Sequence, residues 1–254
     1  MSNRLLCLLL SASLFAAGAV EAAGNTTIES FNKAKKILEH QVYQDHRITF
    51  YCLASFDRDK NITLPEGFVT PEHQKRAKRV EWEHVVPAEN FGRFFSEWRD
   101  GSPECVDSKG RSFKGRKCAE KASKEYRFMQ ADLYNLYPAI GAVNAIRSNF
   151  NYQMLPDTAA TFGTCPMKVA NRRVEPPEYT RGPIARSTLE FLMKNAEIAK
   201  AEKLPICHQQ RQLMEAWNKM YPADQWECTR AQRIQKIQKN ENRFVTEACR
   251  KAGL

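Results

Sequence analysis

The chain has 254 residues, with 39 Lys+Arg against 29 Asp+Glu and a formal net charge of +10. Hydrophobic residues make up 43% and charged residues 27%, enough apolar side chain to bury a core, which excludes wholesale disorder. A multi-span membrane protein is excluded as well, because the one long apolar stretch lies at the extreme N-terminus, and the charge surplus points to an anionic partner: nucleic acid, acidic lipid or an acidic polymer.

That stretch reads MSNRLLCLLLSASLFAAGAVEAA over residues 1–23. Arg4 precedes the apolar run, and Val20, Glu21 and Ala22 give the small-x-small pattern of a signal-peptide cleavage site. At about 16 apolar residues the run is short for a membrane span. Residues 1–22 are therefore expected to be removed, leaving one domain over 23–254 in the periplasm or outside the cell. In such an oxidising compartment Cys52, Cys105, Cys118, Cys165, Cys207, Cys228 and Cys249 are disulfide candidates. They lack the C-x-x-C spacing of a zinc ribbon. Cys105 with Cys118 and Cys228 with Cys249 are the expected short-range pairs; an odd total leaves one thiol free or paired between chains.

Next in chain order, Ile28, Phe31, Ala34, Ile37 and Leu38 recur at helical spacing and predict a helix within 27–46, with Thr27 or Ser30 as cap. His40 and His46, towards its end, read as surface residues. Residues 47–53 (RITFYCL) read as β-rich, 57–78 as a polar loop with two prolines, and 79–86 (RVEWEHVV) as a strand ended by Pro87. Residues 99–127 form a basic excursion that leads into a helix near 119–130. The segment 132–152 (DLYNLYPAIGAVNAIRSNFNY) follows. Beyond a loop through Pro176 and Pro177, helices are predicted over 183–201, 209–220 and 228–239. The pattern is α+β: a single, mainly helical domain around a small sheet.

Of five histidines, only His84 sits in unusual company, directly after Glu83 at the end of an apolar strand. Hydrolysis of a phosphodiester needs a base near neutrality, which imidazole supplies. It needs a cation to grip the phosphate, which Arg does bidentately. It also needs a hard divalent cation, Mg²⁺ or Mn²⁺ or Ca²⁺ in substitution, held by a few oxygens at the departing oxygen. Glu83 offers one such oxygen. On a helix, Asn144 shares a face with Arg147 and Ser148, and its amide offers another. The bland alternatives are that His84 is a half-buried strand histidine and that Asn144, Ser148 and Asn149 are turn and cap residues. Neighbours on a regular strand also point to opposite faces, so Glu83 and His84 reach one cavity only if the strand ends or bulges there. Two basic arms flank the pair: residues 75–79 (KRAKR) and the excursion carrying Lys114, Arg116 and Lys117, which suit phosphates without reading bases.

The segments RVEWEHVVPAENFG (79–92), FMQADLYNLYPAIGAVNAIRSNF (128–150), RGPIARS (181–187) and AWNKMYPADQWEC (216–228) resemble the endonuclease I family of secreted bacterial nucleases, in chain order from about residue 51 to 249. The resemblance implies a ββα-metal (His-Me finger) active site and hydrolysis of DNA, and of RNA, to 5′-phosphate products by a monomer. It implies His84 as general base, Glu83 and Asn144 as Mg²⁺ ligands and Arg116 as the phosphate-gripping arginine. Gln130, where some members carry Glu, with Asn135 and Arg147, would support these groups, and Lys114 and Lys117 would meet nucleic acid. Tyr134 stands where some members have His. Six cysteines match family positions; Cys207 has no counterpart and is the candidate unpaired thiol. The rival readings are a non-catalytic exported DNA-binding protein and a basic protein binding cell-wall or lipid anions.

Overall fold

The structure, a computed structural model, describes residues 24–195 and 208–254. The expected signal peptide and Cys207 lie outside the described residues. Around one short antiparallel pair, helices do most of the packing. Strand β3 (Val80–His84) lies against β4 (Leu136–Ile140), with Val80 opposite Ile140 and His84 opposite Leu136. Helix α6 (Gly141–Arg147) starts where β4 stops and packs back onto β3. Two smaller sheets flank this unit: the hairpin β1 (Ser55–Phe56) with β2 (Ile62–Thr63), and β5 (Asn151–Tyr152), β7 (Arg173–Glu175) and β6 (Lys168–Ala170) in that order.

Alternation along the β3–β4 pair sends its residues into two cores. Trp82 and Leu136 join Ile28, Ala34, Leu38 and Ile234 on one face, while Tyr137 and Ala139 join Val143, Ile184 and Trp217 on the other. The first cluster rests on α1 (Phe31–Ile37), capped by Ser30, whose Oγ accepts from Lys33 N, and on the π-helical turn Leu38–Val42 that continues it. The predicted N-terminal helix is thus present but shorter than the periodic segment. Residues 47–53 form no strand: their backbone turns at 50–52, and Tyr51 and Cys52 are buried by packing. His40 is exposed as expected, whereas His46 stacks on Trp226 with ring centroids 3.8 Å apart.

Strand β3 ends at His84, two residues before the predicted limit. The segment between β3 and β4 folds as α2 (Ala88–Gly92), α3 (Ser96–Arg99), α4 (Arg116–Ala122) and α5 (Lys124–Gln130), the last two carrying the helical part of the basic excursion. Ser123 breaks the predicted 119–130 helix in two, because its Oγ caps α5 by accepting from Tyr126 N. Helix α7 (Glu178–Lys194) starts five residues earlier than predicted, directly after Pro177, and carries Pro183 inside it. Helix α8 (His208–Met220) matches expectation, and α9 (Gln225–Gln238) starts three residues before the predicted 228 because Asp224 caps it there. Helix α10 (Arg243–Ala252), capped by Asn242, was not predicted.

Buried arginines tie the helices to the strands. Arg186 on α7 grips Glu227 on α9 through two bonds, 2.7 and 2.5 Å. Arg230 donates to the hydroxyls of Tyr43 and Tyr137 and to the carbonyls of Leu133 and Leu136. Both expected disulfides form, and Cys52 joins Cys165 across a separation of 113 residues. Loop-closure entropy grows with the logarithm of that separation, which for Cys105–Cys118 is 13. Replacing Cys52 and Cys165 by Ala is expected to cost ~2 kcal/mol more unfolding free energy than replacing Cys105 and Cys118. Denaturant titrations of the two double variants measure this, and equal losses would contradict it.

Candidate active site

All five residues of β3 line a cleft of about 970 Å³, which therefore runs along the strand edge that β4 leaves open. Helix α1 forms one wall and α6 the other. This arrangement answers the objection that neighbouring strand residues diverge. Glu83 points towards the α6 side and His84 towards the α1 side, yet both border the same space because the cleft follows the edge and the strand ends at His84.

His84 is buried. Its Nε2 lies 2.9 Å from the Gln130 carbonyl, and a carbonyl only accepts, so Nε2 carries the hydrogen. Burial first, then the nearby Arg116 guanidinium, push the imidazole down to about 3, so the ring is neutral. The lone pair of the neutral tautomer therefore sits on Nδ1. Phe31 on α1 packs on the imidazole with centroids 5.0 Å apart, and the Arg116 guanidinium carbon stands 5.2 Å from the same phenyl ring. One aromatic ring thus touches both groups.

Glu83 is buried on the opposite face. Its Oε1 accepts from the Tyr51 hydroxyl at 3.0 Å and meets Arg147 Nη1 at 3.0 Å. Tyr51 and Tyr152 share a 2.7 Å hydroxyl contact; when Tyr51 donates to the carboxylate, Tyr152 donates to Tyr51. Burial pushes the Glu83 carboxyl up to about 7, and the Arg147 charge and the Tyr51 bond oppose that rise. Arg147 is buried, and beyond Glu83 it donates to the carbonyls of His84 at 2.9 Å and Val85 at 2.7 Å.

Asn144 lies on α6 as the spacing predicts, and lines the cleft with Glu83. Its Nδ2 donates to Glu81 Oε2 at 2.8 Å. Ser148 is the C-cap of α6, with φ +53°, so it leaves the helical face while still bordering the cleft. The helical and the capping readings of this stretch therefore both hold, for different residues.

Arg116 opens α4 and is held loosely, 3.3 Å from Glu120 Oε1 and 3.4 Å from Gln130 Oε1, with its side chain 40% exposed. Gln130 therefore contacts both partners, His84 through its backbone and Arg116 through its side chain. Asn135 fixes the turn after β3: its Oδ1 accepts from Val86 N and its Nδ2 donates to Val86 O. Lys114 and Lys117 are exposed and lie outside the cleft walls. Much of the excursion's charge faces solvent or is paired, as in Arg111 with Asp107 and Arg127 with Glu29. The cations that do line the cleft are Lys35, Lys36, Lys60, Arg76 and Arg79 with Arg116 and Arg147, and they outnumber the Glu39, Glu81, Glu83 and Glu89 carboxylates.

Sequence reasoning missed Phe31, Lys35, Lys36 and Glu81. Phe31 carried the signal of a core residue, and the Lys pair that of a solvated helix face. Glu81 was visible as the i−2 partner of Glu83, which puts both carboxylates on one strand face. Among the described residues no three His, Cys, Asp or Glu side chains converge as a transition-metal site requires. The donors in the cleft are carboxylate and amide oxygens, hard and few, which fit a cation that keeps most of its own waters.

Three relatives are similar to most of the chain. An extracellular deoxyribonuclease of Aeromonas hydrophila is 38% identical over 229 residues, covering 87% of this chain and 90% of the relative. Endonuclease-1 of Buchnera aphidicola subsp. Acyrthosiphon pisum (strain APS) is 37% identical over 231 residues, covering 89% and 84%. A periplasmic deoxyribonuclease of Aeromonas hydrophila is 36% identical over 228 residues, covering 87% of each. With residues 25–249 matching the family described as endonuclease I, the chain belongs to that family.

Proposed function

We propose that this protein is an exported endonuclease that hydrolyses DNA phosphodiester bonds in the β3 cleft, with RNA as a second substrate, and that β3, β4 and α6 serve as its ββα-metal unit. The observation that carries the reading is the neutral His84, whose Nε2 is committed to a carbonyl and whose Nδ1 is left as a base beside a cation-rich cleft. Export follows from the leader-like residues 1–22 and agrees with the relatives named extracellular and periplasmic. Among the described residues no helix is long and apolar enough to cross a membrane.

In this reading Arg116 grips a phosphate oxygen, and its weak protein contacts are exchanged for that bidentate bond. His84 Nδ1 takes a proton from a water aligned with the scissile bond. Water oxygen bonds to phosphorus, the bond to the 3′ oxygen breaks, and that oxygen takes a proton from solvent as it leaves, while the 5′-phosphate remains. The incoming phosphate also places negative charge beside the imidazole, opposing the Arg116 effect that holds its proton affinity down. Glu83 and Asn144 would hold one divalent cation, Mg²⁺ or in its place Mn²⁺ or Ca²⁺, which when bound supplies positive charge to the phosphate and the departing oxygen. Arg147 and Tyr51 hold the Glu83 carboxylate, Gln130 and Phe31 hold the His84 ring, and Asn135 holds the turn that follows. Lys114 and Lys117, outside the cleft, would meet the flanking backbone of a long substrate.

In a supercoiled-plasmid nicking assay with Mg²⁺, the mature protein is expected to cut, and EDTA to stop it; retention of plasmid without cutting would instead indicate a binding protein. The His84→Ala variant is expected to lose on the order of 10²–10⁴-fold in rate with DNA retention unchanged, and full activity would remove His84 from the mechanism. Glu83→Gln, which keeps an acceptor for Tyr51 and Arg147, is expected to shift the Mg²⁺ titration to higher concentration; an unmoved titration would exclude Glu83 as a ligand. If about 4–8 phosphates are contacted, binding is expected to fall with salt at a log–log slope between about −4 and −7. A flat response would contradict a phosphate-lined cleft.

A further inference from the structure

Glu81 is absent from the proposed catalytic set, yet it is held with unusual care. It lies two residues before Glu83 on the same strand face, opposite Ala139. Arg76 grips its carboxylate bidentately, with Nε 2.8 Å from Oε1 and Nη2 2.5 Å from Oε2. The Asn144 amide donates to Oε2 at 2.8 Å. Space is kept for this arrangement at Gly141, the first residue of α6. A Cβ there would sit 2.8 Å from Glu81 Oε1 and 2.6 Å from the Arg76 carbonyl.

An asparagine amide has one donating end and one accepting end, and rotation by half a turn exchanges them. An ionised carboxylate only accepts. Beside Glu81 the attractive orientation is the one that presents the NH₂ group; the reverse sets two oxygens against each other. The chemistry of the neighbour, rather than the appearance of the amide itself, therefore assigns the flip. With Nδ2 committed to Glu81, the carbonyl oxygen Oδ1 is the end of the amide left to act as a cation ligand. Arg76 completes the device. Its guanidinium engages both Glu81 oxygens, so the negative charge is balanced and Glu81 is occupied as an acceptor.

We propose that Glu81 is a positioning residue that fixes the orientation of the Asn144 amide, so that Oδ1 and not Nδ2 is offered to the divalent cation. The inference rests on the reading of Asn144 as a ligand. Partners that orient metal ligands typically affect metal affinity by about 10- to 100-fold. Glu81 acts by the same means on an amide as such partners do on a ligating imidazole.

The test is Mn²⁺ binding to the mature protein by isothermal titration calorimetry without nucleic acid, supported by circular dichroism of each variant. Glu81→Leu is expected to weaken Mn²⁺ binding by about 10-fold, the lower end of that range. Glu81→Gln, whose carbonyl can still accept from Asn144, is expected to recover most of that loss. In an Asn144→Ala background, Glu81→Gln and Glu81→Leu are expected to bind Mn²⁺ as Asn144→Ala alone does, because there is no amide left to orient. A loss in Glu81→Gln as large as in Glu81→Leu would overturn the proposal, since charge and not an acceptor would then be what matters. Additive losses in the double variants would overturn it too. Should Asn144→Ala bind Mn²⁺ like the wild type, the ligand assignment itself fails, a result distinct from an Asn144 effect that Glu81 does not share.

Discussion

The Arg147 guanidinium, almost wholly buried, meets the Glu83 carboxylate and the carbonyls of His84 and Val85. A charge in that position without partners would cost several kcal/mol, so the chain folds such that partners surround it. The consequence is geometric. The carbonyls at the end of β3 are turned towards α6 and satisfied there, so the strand can stop at His84 without orphaned backbone groups. A strand that stops beside an open edge is what allows two adjacent side chains to border one cleft. The same guanidinium opposes the rise in proton affinity that burial imposes on the Glu83 carboxylate.

Elements distant in sequence converge on this strand end. Tyr51, which donates to Glu83, precedes Cys52, and the Cys52–Cys165 bond ties that turn to the segment before β6. Gln130 closes α5 and presents its carbonyl to His84, while Asn135 closes the next turn and clamps Val86. Helix α1 lies across the other side and contributes Phe31. The segment between β3 and β4 thus brings back the carbonyl that selects the histidine tautomer. A cation-rich cleft lined with few, hard oxygen donors follows from the same convergence, and it suits a polyanion and a strongly hydrated cation.

How much of this was legible differs by element. Strand β3 and helices α8 and α9 could be read because each carries its own period, and Pro87 punctuates the strand; the Asp224 cap, which starts α9 three residues before the predicted 228, was not read. Residues 47–53 failed because β-branched and aromatic residues signal burial as readily as strand, and here tertiary packing took them. The single predicted helix at 119–130 failed at Ser123, a hydroxyl that can equally cap or continue. Helix α10 was missed although its cap, Asn242, stands in plain view, because it packs by a short stripe around Val245 and the disulfide-bonded Cys249.

By itself the sequence determined the apolar N-terminal run, the charge surplus and the adjacency of Glu83 and His84, and it pointed to the two short disulfides, since these depend on local order and composition alone. It also carried motifs long enough to mark the family. Tertiary structure alone decided that Arg147 is a buried clamp, that Phe31 joins His84 to Arg116, that Glu81 takes the Asn144 amide, and that Lys35 and Lys36 rather than Lys114 and Lys117 line the cleft. Each of these is a meeting of residues far apart along the chain. Local pattern fixes which way a side chain points from its own element, but not which other element arrives in front of it.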